Sequence, residues 1–141
     1  MITAIAAIVA AVGLAMLTGW LMTRRSGDVR PTKPGSGAGD GAPNTTALGL
    51  SESGPTVVHF SAAWCGQCTQ VRRVVHQVCD ELGEVEHVEI DLDADPGAAQ
   101  RFSVLSLPAT LIFDAEGRQR YRSAGVPRAA DLRSALEPLL A

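Results

Sequence analysis

Residues 56–68, TVVHFSAAWCGQC, decide how this chain is read. Thr56–Ser61 follows Pro55 as a short β-branched, apolar run, the pattern of a buried strand. Beyond the cysteines, Val71, Val74, Val75, Val78, Cys79 and Leu82 recur at helical spacing, and Gly83 stands where a helix stops. Cys65 and Cys68 therefore fall in a strand-to-helix turn, with Gly66 and Gln67 between them. An oxidised dithiol needs its sulfurs about 2 Å apart, and two intervening residues across such a turn allow it. The turn is also expected to set Cys65 at the helix N-terminus, where unpaired N–H groups favour a thiolate. Cys68 would lie one turn further in, sheltered by the sheet. One exposed attacking sulfur and one resolving sulfur result.

Working outward to the C-terminus, Glu86–Asp91 alternates as a strand does, and Asp95-Pro96 opens a short helix to about Phe102. Ala109–Phe113 and Arg118–Ser123 read as strands joined by the hairpin signal Asp114-Ala115-Glu116-Gly117. Leu132, Ala135, Leu136, Leu139 and Leu140 mark one face of a closing helix. The order β-α-β-α-β-β-α predicts an α/β domain with a mixed central sheet flanked by helices. Its first two strands should be parallel and its last two antiparallel. With six Phe, Trp and Tyr in the whole chain, an aliphatic core is expected.

Towards the N-terminus the composition changes twice. Residues 24–50 are rich in Gly, Pro, Ser, Thr and Asn, and predict a flexible linker with a root-mean-square span of about 30 Å. Residues 2–22 carry no charge and, as a helix, would rise roughly 31 Å, the thickness of a bilayer core. Trp20 near one end suits the membrane interface. A cleaved signal peptide would begin with Lys or Arg and end in small residues, whereas Trp20-Leu21-Met22 closes this run. The expected division is an anchor over 1–23, a linker over 24–50 and a domain over 51–141. Arg24, Arg25, Arg30 and Lys33 follow the apolar run and nothing basic precedes it except the amino terminus. That bias predicts a single-pass cell-membrane protein whose domain faces the cytoplasm, an extracytoplasmic domain being the alternative. Residues 51–141 hold 8 basic and 13 acidic side chains, so no basic stripe offers itself to nucleic acid.

A lone CxxC is also half a zinc site. Structural zinc takes four N/S ligands, and Cys79, His59, His76 and His87 form no second closely spaced pair. Cys79 is about 16 Å along the helix from Cys68, out of bonding reach, and is expected to pack as a small hydrophobe. His76 and His87 are expected on solvated surfaces.

Trp64-Cys65-Gly66-Gln67-Cys68 after a buried strand, with Ser106-Leu107-Pro108-Ala109 before a later one, resembles the thioredoxin family over residues 51–141. The resemblance implies a thioredoxin fold and a cis Pro108 against the dithiol, with neighbouring backbone that pairs with the substrate chain. It also implies that Trp64 and Gly125 shape the substrate groove. It further implies thiol–disulfide exchange through Cys65 and Cys68 on protein disulfides. No metal or organic cofactor is expected, and a thioredoxin-reductase-like or other dithiol donor would re-reduce the pair. Three residues depart from the family: Gln67 replaces a proline, His59 a buried aspartate, and Glu89 the lysine that partners it. His59 is then either a proton acceptor for Cys68 or a core polar group with a bonded neighbour, and the residues alone favour the second by a small margin. The chemistry is expected to be that of a membrane-tethered reductase. An exported protein for cytochrome maturation or disulfide formation is one alternative, and a non-catalytic metal-binding or chaperone module another.

Overall fold

The computed structural model describes residues 2–24, 27–32, 48–51 and 53–141, with side chains in the first helix described from Ile5 to Leu21. Its elements are α1 (Ile2–Arg24), β1 (Arg30–Pro31), β2 (Thr56–Ser61), α2 (Cys68–Leu82) and β3 (Glu86–Asp91). Then follow α3 (Pro96–Arg101), β4 (Ala109–Phe113), β5 (Gln119–Ala124) and α4 (Ala129–Leu136), the last running into a 3-10 turn over Glu137–Leu139. Pro138 has no N–H to continue the α-helix, which accounts for that tightening.

One five-stranded sheet, ordered β1-β5-β4-β2-β3, organises the domain. β2 and β3 are parallel and β4 and β5 antiparallel, as the order of elements predicts, and β4 also pairs antiparallel with β2. Alternation along β2 sends Val57 to one face and Val58 and Phe60 to the other. On the first face Val57 and Ile112 pack with Val71, Val75, Val78 and Cys79 of α2 and Leu132 and Leu136 of α4. On the second, Val58 and Leu111 pack with Phe60, Phe102 and Phe113. The core is thus aliphatic on one side only. All three phenylalanines gather on the other, Phe102 lying 5.9 Å from Phe60 and 6.2 Å from Phe113 between ring centroids.

The linker boundary needs correction. Residues 27–32 belong to the sheet: Gly27 N–H donates to the Ala124 carbonyl at 2.6 Å and Thr32 N–H to that of Arg120 at 2.8 Å. β1 pairs antiparallel with β5, Arg30 opposite Arg122 and Pro31 opposite Tyr121. An open β5 edge offers unpaired backbone groups, and this segment satisfies them. Gly27, at φ 99°, is required there, because a Cβ would sit 2.1 Å from the Val126 carbonyl oxygen. Leu48 is buried in the phenylalanine-lined core as well. The remainder of the expected linker, residues 25–26 and 33–47, lies outside the described residues.

Among the described residues no helix is long and apolar enough to cross a membrane, so the fold does not support the anchor expected over residues 1–23. The described side chains of α1, residues 5–21, are all exposed, among them Ile8, Val9, Leu14 and Met16.

Candidate active site

Trp64 to Gln67 form the turn between β2 and α2. The Cys65 N–H donates to the Ala62 carbonyl at 3.0 Å, and the Cys68 N–H to that of Cys65 at 3.2 Å. A carboxylate oxygen of Asp93, just past β3, accepts from the Ala63 N–H at 2.8 Å and holds the loop from the other side. Cys65 and Cys68 are joined as a disulfide, S–S 2.09 Å. Cys65 is partly exposed, whereas Cys68 is 3% exposed and its sulfur lies 3.8 Å from the Phe60 carbonyl oxygen. The division between an outer and a sheltered sulfur is therefore built in. The helix starts at Cys68, so Cys65 stands in the turn before it rather than at its first position. The helix end's partial charge acts on Cys65 from one turn away and is weaker for it.

The Leu107–Pro108 bond is cis and Pro108 is buried. Its carbonyl accepts from the Gly125 N–H at 2.9 Å, and Gly125 holds φ 86°, a conformation that suits glycine. Pro108 and Gly125 are thus tied together beside the strand that carries the site. Trp64, in the dithiol turn, is 73% exposed, and Leu105, in the loop before Pro108, 98%. The sequence marks Leu105 only by its apolar character amid loop residues. A Cβ at Gly66 would meet nothing within 4 Å, so that glycine is not demanded by packing.

Where β2 pairs with β3 lies a cluster that one strand's sequence does not reveal. The β2–β3 register sets His59 beside Glu89 and Val57 beside His87, so His59, His87 and Glu89 share the face covered by α2. His59 is fully buried, and its Nδ1 is 2.7 Å from Nε2 of His87. Its Nε2 is 3.5 Å from Glu89 Oε1, near enough for attraction but making no hydrogen bond. Glu89 accepts instead from Ser61 Oγ at 2.7 Å, from Arg72 Nε at 2.7 Å and from a second Arg72 nitrogen. His76, exposed on α2, meets the His87 ring edge-on at 4.6 Å between centroids. The expectation that His87 lies on a solvated surface is thus corrected: strand alternation turns it under α2, while His76 is exposed as expected.

These contacts set the charges. Burial lowers the His59 pKa, with Glu89 opposing and Arg72 and His76 adding to the depression. His87 falls to about 4, again mainly through burial. The bond from Arg72 leads in holding Glu89 near 2. The cluster at neutral pH is two neutral imidazoles against a carboxylate–guanidinium pair. Among the described residues no group of three or more His, Cys, Asp or Glu is set to hold a metal ion. Cys79 sits in the aliphatic core, its thiol raised to about 11 by burial first and by Asp80 and Glu86 after it.

Residues 46–138 match the thioredoxin family. A thioredoxin of Mycolicibacterium smegmatis is 37% identical over 73 residues, which are 50% of this chain and 63% of that protein. Thioredoxin H2 of Arabidopsis thaliana is 33% identical over 72 residues, 51% of this chain and 53% of that protein. The match thus spans less than two thirds of either relative. Among solved structures, chloroplastic thioredoxin z superposes with a TM-score of 0.56 at 29% identity, covering 62% of this chain and 79% of that one.

Proposed function

Because the chain belongs to the thioredoxin family, we propose that it is a thiol–disulfide oxidoreductase tethered to the cell membrane and working as a reductase of protein disulfides. The observation that carries this reading is the Cys65–Cys68 pair in the β2–α2 turn, one sulfur reachable and one buried, with Pro108 and Gly125 joined nearby. In the reduced protein the Cys65 thiolate attacks one sulfur of a client disulfide. That bond breaks, its far sulfur leaves and takes up a proton, and a Cys65–client disulfide forms. Cys68 then loses its proton and attacks Cys65 Sγ, and the second client sulfur departs as a thiolate. Two electrons have passed to the client, and Cys65–Cys68 is again a disulfide. Exposed Trp64 and Leu105 suit apolar residues flanking the client cysteine. A thioredoxin-reductase-type or other dithiol donor returns the two electrons, and the reaction calls for no further cofactor.

The tether is read from the charge-free residues 2–22 and from the exposed aliphatic side chains of residues 5–21, which favour an apolar surrounding; no described helix is itself long and apolar enough to span a bilayer. The basic residues after that stretch favour a domain on the cytoplasmic side, where the glutathione and thioredoxin pools keep such pairs reduced. The test is insulin-disulfide reduction by the full chain in detergent or vesicles, with dithiothreitol as donor. Turnover that vanishes in Cys65→Ser is expected. Bound zinc or copper without turnover would replace this reading with a metal-binding module.

A further inference from the structure

Strand register lines up a row of residues that starts beside the dithiol. The Cys68 sulfur lies 3.8 Å from the Phe60 carbonyl oxygen, Phe60 stands opposite Ala109, and Ala109 stands opposite Ala124. At the end of this row the peptide unit between Ala124 and Gly125 is bonded at both of its ends. Its N–H donates to the Pro108 carbonyl at 2.9 Å, and its carbonyl accepts from the Gly27 N–H at 2.6 Å. We infer that β1, through Gly27, is a positioning element of the client groove, holding the Gly125–Pro108 wall in the form that binds a protein disulfide. The inference rests on the thiol–disulfide reading above and goes beyond it by giving the strand before the domain a part in client affinity.

A peptide unit is planar, so a bond at each end fixes the orientation of the whole group. With the Pro108 bond alone the unit could rock, because Gly125, at φ 86°, has no Cβ to resist. Gly27 supplies the second point. It also presses on the same segment, since a Cβ there would sit 2.1 Å from the Val126 carbonyl oxygen. Residues 124–126 are therefore held between Pro108 and Gly27. Further along, Val29 and Val126 both pack against the aliphatic core. The Thr32 N–H donates to the Arg120 carbonyl at 2.8 Å, and Gln119 Nε2 donates to Thr32 Oγ1 at 3.0 Å.

The strand itself is lightly held. It has two residues, both exposed, and Arg30 stands directly opposite Arg122, where like charges oppose pairing. Such a segment opens at a smaller cost than the strands of the core. A client that binds only the formed groove loses affinity in proportion to the open fraction. The exchange chemistry runs on Cys65 and Cys68 at the end of β2, three strands over from β1, so docking of β1 bears on binding rather than on sulfur transfer.

The experiment mixes the pre-reduced full chain, freed of dithiothreitol, with two disulfides, for wild type and Gly27→Ala. Insulin has to lie in the groove, whereas the small aromatic disulfide dithiobis-nitrobenzoate does not. In Gly27→Ala the insulin concentration giving half the maximal rate should rise about fivefold, at the low end of coupling between sites. The maximal rate, and the rate on the small disulfide, should stay within about twofold of wild type. Equal losses on both substrates would show that the glycine serves stability alone, and no loss on either would show that the groove stands without β1; each overturns the inference. Coupling is reciprocal, so a client in the groove must in turn hold β1. With a client captured on Cys65 of Cys68→Ser, amide exchange at Gly27 and Thr32 should slow about fivefold relative to the same variant without client. This measurement leaves β1 unaltered, and unchanged exchange would overturn the inference even where Gly27→Ala fails to fold. Reduction of neither substrate by wild type would instead overturn the thiol–disulfide reading.

Discussion

At the scale of single residues, the burial difference between the two sulfurs makes the most direct prediction. Cys68→Ser leaves the reachable Cys65 with no resolving partner, so it should accumulate clients as mixed disulfides, while Cys65→Ser should hold few. Non-reducing gels read the difference, and equal trapping would reverse the assignment. Cys79→Ala should leave turnover unchanged and cost on the order of 1 kcal/mol, as for a small buried side chain. A urea titration beside the insulin assay decides this. Pro108 and Gly125 were named only through the resemblance to the family, whereas the Cys65–Cys68 turn was legible because its spacing carries its meaning. The neighbours of His59 were not: which residue of β3 lies beside it depends on strand register, a property of two distant segments together.

At the scale of elements, β1 shows what a composition reading misses. Residues 27–32 look like the rest of the Gly- and Pro-rich stretch, yet their backbone closes the β5 edge. Sheet edges recruit main chain, and composition reports only side chains. Gly27→Ala meets both a positive φ and the Val126 carbonyl. It should free this strand at a cost of about 1–3 kcal/mol. Amide exchange at Thr32 should quicken, while exchange in β2 and β4 keeps its protection. If Thr32 remains protected, the pairing is not held by this glycine. The remaining elements followed from period and punctuation, and α2 began at Cys68 because the turn before it spends its backbone bonds on Ala62 and Cys65.

At the scale of the whole molecule, the buried His59 and the partly buried His87 tie stability to pH. Both are depressed by the fold, His87 to about 4 from an ordinary value of 6.5. Below about pH 6.5 the unfolded chain takes protons that the folded one refuses, so their contribution is complete above that pH and fades towards pH 4. Glu89, near 2 in the fold, adds a further loss only below its ordinary 4.5. The urea midpoint should therefore fall between pH 7 and pH 5 in wild type and fall less in His87→Gln. Parallel curves would place the titration elsewhere. Orientation is tested on intact cells with an impermeant maleimide. Reduced Cys65 should be shielded from it, and labelling from outside would reverse the proposed facing.

The docked strand also changes the mechanics of attachment. A slack leash of some 27 residues would let the domain sample a hemisphere of about 30 Å radius above its attachment point. With Gly27 fastened to Ala124, only residues 25 and 26 separate the end of α1 from the domain, a reach of about 10 Å. The accessible volume scales with the cube of that reach, so it shrinks by roughly 27-fold. The fastening point is next to Gly125, which is itself bonded to Pro108. Were α1 embedded as proposed, residues 25 and 26 would set how far the domain could stand from the bilayer. Its accessible targets would be disulfides in the first layer of protein above the bilayer, and deep-water clients would have to come to it.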